Sequence, residues 1–275
     1  MTDSMSHEGV RHDYDSDGIA YWTYGRRGSG RCALLCHGLT SSHLSWEPVA
    51  RRLADKGWFC VSWDSPLHGA SRRDGGYSFA TCADDLSAIL GIEGVTSCVA
   101  CGHSLGCYVI QALGALRPGL VSGALMLDGT PFGYHLTPVE RWSLLHYDSI
   151  AKLLPWGYYV RSAASGSCET AEAAESFTAE LEGLGRRGML AASHDCYAAV
   201  VDAPATLALP RSIPAVLGIG KHDKLGVVAP AMAAWAADLG VELHVIKGAG
   251  HNTVTDAPDE VTGLVELAGG CRDSI

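Results

Sequence analysis

The chain has 275 residues, 47% apolar and 18% charged, a composition that builds a large globular core and excludes an intrinsically disordered chain. Its net charge is −10 with Lys and Arg scattered, which argues against nucleic acid or an anionic membrane as partner, since both select basic faces. No apolar run reaches the length of a membrane span, and the acidic opening MTDSMSHEGVRHDYD lacks the basic start and apolar segment of a secretory leader, so a cytoplasmic location and reduced thiols are expected.

In chain order, VRHDYD, the turn SDG and IAYWTYG read as a hairpin, and CALLCHG as a buried strand. HLSWEPVARRLADKG spaces Leu44, Val49 and Leu53 as a helix ending at Gly57, after which WFCVSWD returns to strand. FATCADDLSAIL is an amphipathic helix, SCVACG a strand, LGCYVIQALGALR an apolar helix stopped by Pro118, and LVSGALMLDG another strand. Cys98 and Cys101 form a C-x-x-C, but residues three apart on a strand face opposite ways, so they read as core thiols. From about Phe132 to Pro204 no β-rich run occurs, only helical pieces and the patch RSAASGSCETAEAAES, expected to be a mobile loop. The alternation resumes with PAVLGIG, PAMAAWAADLG, VELHVIKG and DEVTGLVELAG as strand, helix, strand and helix. The expectation is an α/β fold with a mostly parallel central sheet flanked by helices and a helical insertion on one edge.

Within this pattern Gly102-His103-Ser104-Leu105-Gly106 spans a strand-to-helix junction. A serine on such a turn presents its hydroxyl at the carboxyl edge of the sheet, and the helix start offers the Leu105 N–H to an oxyanion. Serine needs a base to become a nucleophile. His251 in KGAGHN and Asp223 in IGKHDKLG each follow a strand, so both reach the same edge, in the order Ser, Asp, His. His251 would take and return the serine proton, and Asp223 would hold its tautomer and stabilise the imidazolium. Asp128 in LMLDGTP also ends a strand and stands as the alternative acid. His222 reads as a turn residue. The histidines show neither H-x-x-x-H nor H-E-x-x-H spacing, and no G-x-G-x-x-G opens a helix, so neither a metal nor a dinucleotide cofactor is indicated.

With these residues in place, the sequence resembles the α/β-hydrolase superfamily over nearly its whole length. Beyond GHSLG, the resemblance rests on His37-Gly38 followed by SSHLSW, on Asp64-Ser-Pro-Leu-His68-Gly69-Ala-Ser71, similar to D-x-x-G-x-G-x-S with Leu67 in place of the first Gly, and on His251-x4-Asp256-x-Pro258. Cys107 stands where many relatives have a third Gly. The resemblance implies that Leu39 supplies a second oxyanion N–H and that residues 132–204 form a cap over a core of residues 1–131 and 205–275. It also implies that some relatives carry the acid at the position of Asp128.

The implied activity is a cofactor-independent serine hydrolase cleaving a small-molecule carboxylic ester with a small to medium apolar acyl group. Thioesterase, lactonase, amidase or peptidase, and C–C bond hydrolase use the same triad and stay open, as does a slow-turnover receptor on the same fold. Ser104 argues against relatives that need an Asp nucleophile. His37, His103, Trp142 and Trp156 stand as candidate substrate contacts; His37 is also placed to orient the oxyanion loop, and His103 for packing or hydrogen bonding within the turn. His43 and Trp46 are equally placed for packing, and Asp64 is expected to cap the loop after it. The insertion's other aromatics (Phe132, Tyr134, Tyr147, Tyr158, Tyr159, Phe177, Tyr197) divide between packing and pocket, and nothing in the spacing singles out Arg141, Arg161, Arg186 or Arg187 as an anion site. The sequence leaves the oligomeric state open.

Overall fold

A computed structural model describes residues 9–14, 18–71, 73 and 76–270. Short runs rich in Val, Ile, Leu, Cys and aromatics form eight strands: β1 (Val10–Tyr14), β2 (Ile19–Tyr24), β3 (Cys32–Cys36), β4 (Phe59–Trp63), β5 (Cys98–His103), β6 (Val121–Leu127), β7 (Ala215–Gly220) and β8 (Leu243–Ile246). They make one sheet in the order β1-β2-β4-β3-β5-β6-β7-β8. The β1–β2 and β2–β4 pairings are antiparallel and all others are parallel. The hairpin is therefore present, although most of its turn lies outside the described residues.

The inner parallel strands are largely buried on both faces, which is why they read as continuous apolar runs, whereas the edge strand β8 leaves Val245 exposed. Side chains alternate between two cores. Cys98 and Ala100 face one, with α2 (Phe79–Ile92), α3 (Leu105–Leu116) and α8 (Val228–Leu239); Val99 and Cys101 face the other, with α1 (His43–Asp55), α9 (Thr253–Asp256) and α10 (Pro258–Ala268). Cys98 and Cys101 thus sit in separate cores. Burial raises both thiols well above the ordinary range, so they are held as neutral apolar groups.

Between β6 and β7 lie α4 (Pro138–Leu145), α5 (Tyr147–Ala151), α6 (Trp156–Ser167) and α7 (Ala171–Asp202). The patch expected as a mobile loop is instead the end of α6 and the start of α7. Its alanines and glutamates are good helix formers, and Thr170 caps α7 by accepting from the Ala173 N–H at 3.2 Å. Gly185 (φ 71°) kinks α7. Before the kink, Phe177 and Leu181 pack with Tyr159 and Val160 of α6; after it, Cys196 enters the main core, rooting the insertion in the sheet domain. Among the described residues no helix is long and apolar enough to cross a membrane.

The strand order reverses between β3 and β5, and the crevice beyond the carboxyl ends of these neighbours is where a doubly wound sheet leaves room for a ligand.

Candidate active site

Ser104 joins β5 to α3 at φ 50°, ψ −113°, a conformation few non-glycine residues adopt. The crowding there explains the flanking glycines. A Cβ on Gly106 would lie 2.2 Å from the Cys36 carbonyl oxygen, and one on Gly102 would lie 2.5 Å from the Gly106 oxygen. Cys107 fits where a glycine is usual because residue 129 is glycine: a Cβ there would meet the Cys107 Sγ at 2.5 Å. Its thiol donates to the carbonyls of Gly102 and Leu127 at 3.2 and 3.3 Å.

The sheet edge brings Ser104, His251 and Asp223 together. His251 Nε2 lies 2.9 Å from Ser104 Oγ, and its Nδ1 lies 2.9 Å from Asp223 Oδ2. The Leu225 N–H donates to the other Asp223 oxygen at 2.8 Å. Burial pulls the His251 pKa down, but the hydrogen bond and charge of Asp223, with the charge of Asp128, outweigh it and the net shift is upward.

Asp128 occupies the next layer inward. It is fully buried at φ 50° and accepts from the Gly220 N–H at 2.8 Å and from Thr253 Oγ1 at 2.5 Å. Burial pushes its carboxyl up to about 7, against the lowering effects of His251, Thr253 and the Gly220 N–H. It therefore faces the same histidine without bonding it. Ligand-type atoms of Asp128, Asp223 and His251 lie within 4.8 Å of one another, a set that could attract a metal. Both ring nitrogens of His251 are engaged, by Asp223 and Ser104, an arrangement along which a proton can pass.

The other histidines hold loops. His37 Nε2 accepts the Ser65 N–H at 3.0 Å, so its Nδ1–H donates to the Gly38 carbonyl at 2.7 Å. It is buried beneath the β3–α1 loop and does not line the cavity described below; the expectation of substrate contact is corrected to a role in holding that loop. His103 Nε2–H donates to the His251 carbonyl at 2.7 Å, and burial lowers its pKa to about 3, so it stays neutral; it does reach the cavity wall. His43 stacks on Trp22 with centroids 3.3 Å apart, and Trp46 is fully buried. Asp64 binds the N–H groups of His43 and Ala70 at 2.7 and 2.6 Å, tying the start of α1 to the turn after β4. Leu67 in that turn adopts φ 70°, so it takes the left-handed geometry a glycine would give more cheaply. His222 is a partly exposed turn residue 3.1 Å from Glu169.

A cavity of about 170 Å³ lies over Ser104 and His251. Its floor is Gly38, Leu39, Thr40 and Ser41 with His103; its roof is Tyr147, Tyr159, Phe177 and Tyr197 from the insertion. The Tyr147 and Tyr159 hydroxyls bond each other at 2.9 Å. Leu39 lines this space, and Leu105 opens α3 immediately after Ser104, in the first turn where backbone N–H groups lack helical partners. Trp142 and Trp156 do not reach it. Trp142 is 54% exposed and stacks on His146, while Trp156 packs against Tyr159 from behind. None of Arg141, Arg161, Arg186 and Arg187 lines the cavity; Arg141 bonds the Val201 carbonyl and Asp202.

Several lining residues escape a sequence reading. Ser162, Ala163, Gly166 and Ser167 make a small-residue face of α6 that leaves room beneath the roof, a helical spacing hidden in the patch that reads as a loop. Asn252 beside His251 also lines the cavity. Glu180, which ties the insertion to the site, leaves no local signal because its partners are distant in sequence; Asp256, visible in the motif after His251, gives no hint there of its bonds to Glu169 and Thr170.

Comparison with known proteins agrees with this fold. A family model described as the alpha/beta hydrolase family matches residues 33–264. A 2-(acetamidomethylene)succinate hydrolase of Mesorhizobium japonicum is 32% identical over 107 residues, 38% of each chain. An sn-1-specific diacylglycerol lipase of Xenopus tropicalis is 30% identical over 114 residues, 41% of this chain and 36% of that one. The chain thus matches well under half the length of these relatives. Among solved structures, a thermophilic esterase from Thermogutta terrifontis superposes with a TM-score of 0.77 at 19% identity, over 94% of this chain and 97% of that one.

Proposed function

Because the chain belongs to the alpha/beta hydrolase family and is an enzyme of that kind, we propose that it is a cofactor-independent serine hydrolase acting on a small, uncharged carboxylic ester. The observation that carries this reading is the unbroken hydrogen-bonded line from Ser104 Oγ through His251 to Asp223, with 2.9 Å at each step. In this mechanism His251 Nε2 takes the Ser104 proton as Oγ attacks the ester carbonyl, and Asp223 stabilises the imidazolium that forms. The N–H groups of Leu39 and Leu105 receive the oxyanion. The imidazolium then protonates the departing alcohol, leaving an acyl group on Ser104. Water activated by the same histidine releases it as the acid.

Two features narrow the substrate. A cavity of about 170 Å³ is below the roughly 300–1,000 Å³ of drug-sized sites and suits a short acyl chain. Among the described residues no Lys or Arg lines it, so a carboxylate-bearing acyl group such as a succinate would be desolvated without a cationic partner.

The test is hydrolysis of p-nitrophenyl esters from acetate to laurate, with Ser104→Ala as control. We expect acetate to butyrate to be preferred over octanoate by tenfold or more, and Ser104→Ala to lower kcat by roughly a thousandfold or more. Multiple turnover that survives in Ser104→Ala would overturn the mechanism. Stoichiometric binding with no turnover would replace it with the receptor reading.

A further inference from the structure

The loop from His37 to Ser42 carries Leu39 and is built under strain. Its Ser41 N–H donates to the Gly38 carbonyl at 3.3 Å, closing a turn whose third residue, Thr40, sits at φ 64°. A type II turn places glycine at that position, because a side chain there is strained. Such a geometry persists only where its surroundings hold it. From the core, His37 holds the Gly38 carbonyl. From the insertion, Glu180 of α7 holds the other end: its Oε2 accepts from Ser41 Oγ at 2.9 Å and from Ser42 Oγ at 2.7 Å. Ser42 in turn caps α1, accepting the Leu44 N–H at 3.2 Å.

Stability alone gives no reason for a carboxylate at this place. Glu180 Oε1 is buried without a hydrogen-bond partner, and burial pushes the carboxyl up to about 7, with the charge of Asp64 adding to the effect. Apart from the two serines, Asp64 and Cys168 are the titratable groups that act on it. An apolar side chain would avoid this desolvation, so what Glu180 adds over one is an acceptor oxygen that grips two adjacent hydroxyls.

We propose that Glu180 is a positioning residue: acting through Ser41 and Ser42, it holds the Leu39–Thr40 segment in the form that presents the Leu39 N–H, so that α7 of the insertion sets the geometry of the oxyanion side. This rests on the role given above to Leu39. It makes the insertion more than a roof, since a shift of α7 would be transmitted to the loop through one side chain.

The test compares the full chain with Glu180→Ala, Glu180→Gln, Ser41→Ala and the Glu180→Ala/Ser41→Ala double variant. Two quantities are read: amide hydrogen exchange over residues 38–42, and kcat and KM on p-nitrophenyl acetate. We expect Glu180→Ala to speed exchange in this segment and to lower kcat by roughly tenfold to a hundredfold, with KM changed by no more than about twofold. Ser41→Ala should do the same in smaller measure, the double variant should lose little beyond Glu180→Ala, and Gln, which keeps an acceptor oxygen, should restore most of kcat. Unchanged exchange in Glu180→Ala, a rise in KM at constant kcat, or fully additive losses would overturn the proposal. If Glu180→Ala does not fold, Ser41→Ala and Glu180→Gln decide by the same criteria. If the wild type turns over no ester, the hydrolase reading falls, and the exchange comparison still decides whether the clamp exists.

Discussion

Four non-glycine residues among those described have positive φ: Thr40, Leu67, Ser104 and Asp128. All follow strands at the carboxyl edge of the sheet, and each such residue costs on the order of 1–3 kcal/mol. At this scale the proposed mechanism turns on His251 as its base. Its pKa lies above the ordinary value because Asp223 outweighs burial, and the base is active only when neutral. The acidic limb of kcat/KM should therefore fall above the pH at which a free imidazole titrates, near 6.5. Asp223→Asn removes the raising charge, so a pH–rate profile should show this limb displaced to lower pH, with kcat reduced by roughly ten-thousandfold.

Asp128 gives a second residue-scale prediction, in stability. Its folded pKa of about 7 lies above its unfolded value near 4, so the folded state binds the proton more tightly. The stability gained this way is complete below the unfolded pKa and is lost as the pH rises through about 7. Asp128→Asn cannot titrate. Urea unfolding at pH 5 and pH 8 should show the wild type losing on the order of 2 kcal/mol more than the variant over that interval. An equal loss in both would mean that Asp128 does not carry its proton into the folded state.

Among the elements, one carboxylate ties the insertion to the His251 loop, alongside the Asn252 N–H donated to the Ser167 carbonyl at 2.8 Å. Asp256 at the end of α9 accepts from the Gly250 N–H at 2.9 Å, and from the Glu169 and Thr170 N–H groups at 3.0 and 2.8 Å. It thereby braces the residue before His251 against the junction of α6 and α7. Asp256→Ala should cost about 1–3 kcal/mol, the range for hydrogen bonds to a charged group. Thermal unfolding would measure the loss, and hydrogen exchange should rise at both residues 167–171 and residues 249–252. A rise confined to one segment would show that Asp256 caps a helix without linking the two.

For the whole molecule, the proposed activity makes sign of charge a substrate filter. The net charge is −10 and no Lys or Arg among the described residues lines the cavity. A monoanionic acyl group should be disfavoured both by the overall field and by desolvation at the site. The p-nitrophenyl ester of butyrate should exceed the hemisuccinate in kcat/KM by roughly a hundredfold, and the gap should narrow with added salt to the extent that the long-range field contributes. Equal rates would point to a cation reaching the substrate from beyond the cavity wall.

The alternation of strand and helix, the mostly parallel sheet and the candidate nucleophile were legible in the chain because each depends on local pattern or on a residue type the chemistry demands. A buried parallel strand must be apolar throughout, and a sharp strand-to-helix turn around Ser104 must be flanked by glycine, as the 2.2 Å approach at Gly106 makes plain. Strand position favours Asp223 over Asp128 without excluding the alternative, since both end strands; the folded chain puts Asp223 on His251 Nδ1 and Asp128 on Thr253 and Gly220. The insertion was the least legible part. The family resemblance implies a roof, and the insertion's aromatic residues divide between packing and pocket, because which face each helix turns inward is a matter of packing. Tyr147, Tyr159, Phe177 and Tyr197 therefore line the cavity while Trp142 and Trp156 do not. Glu180 is the extreme case, 138 residues from Ser42 along the chain and 2.7 Å from it in space. Local sequence determines what each element is and what chemistry it can carry; the contacts between distant elements, which no local pattern encodes, decide where that chemistry is aimed.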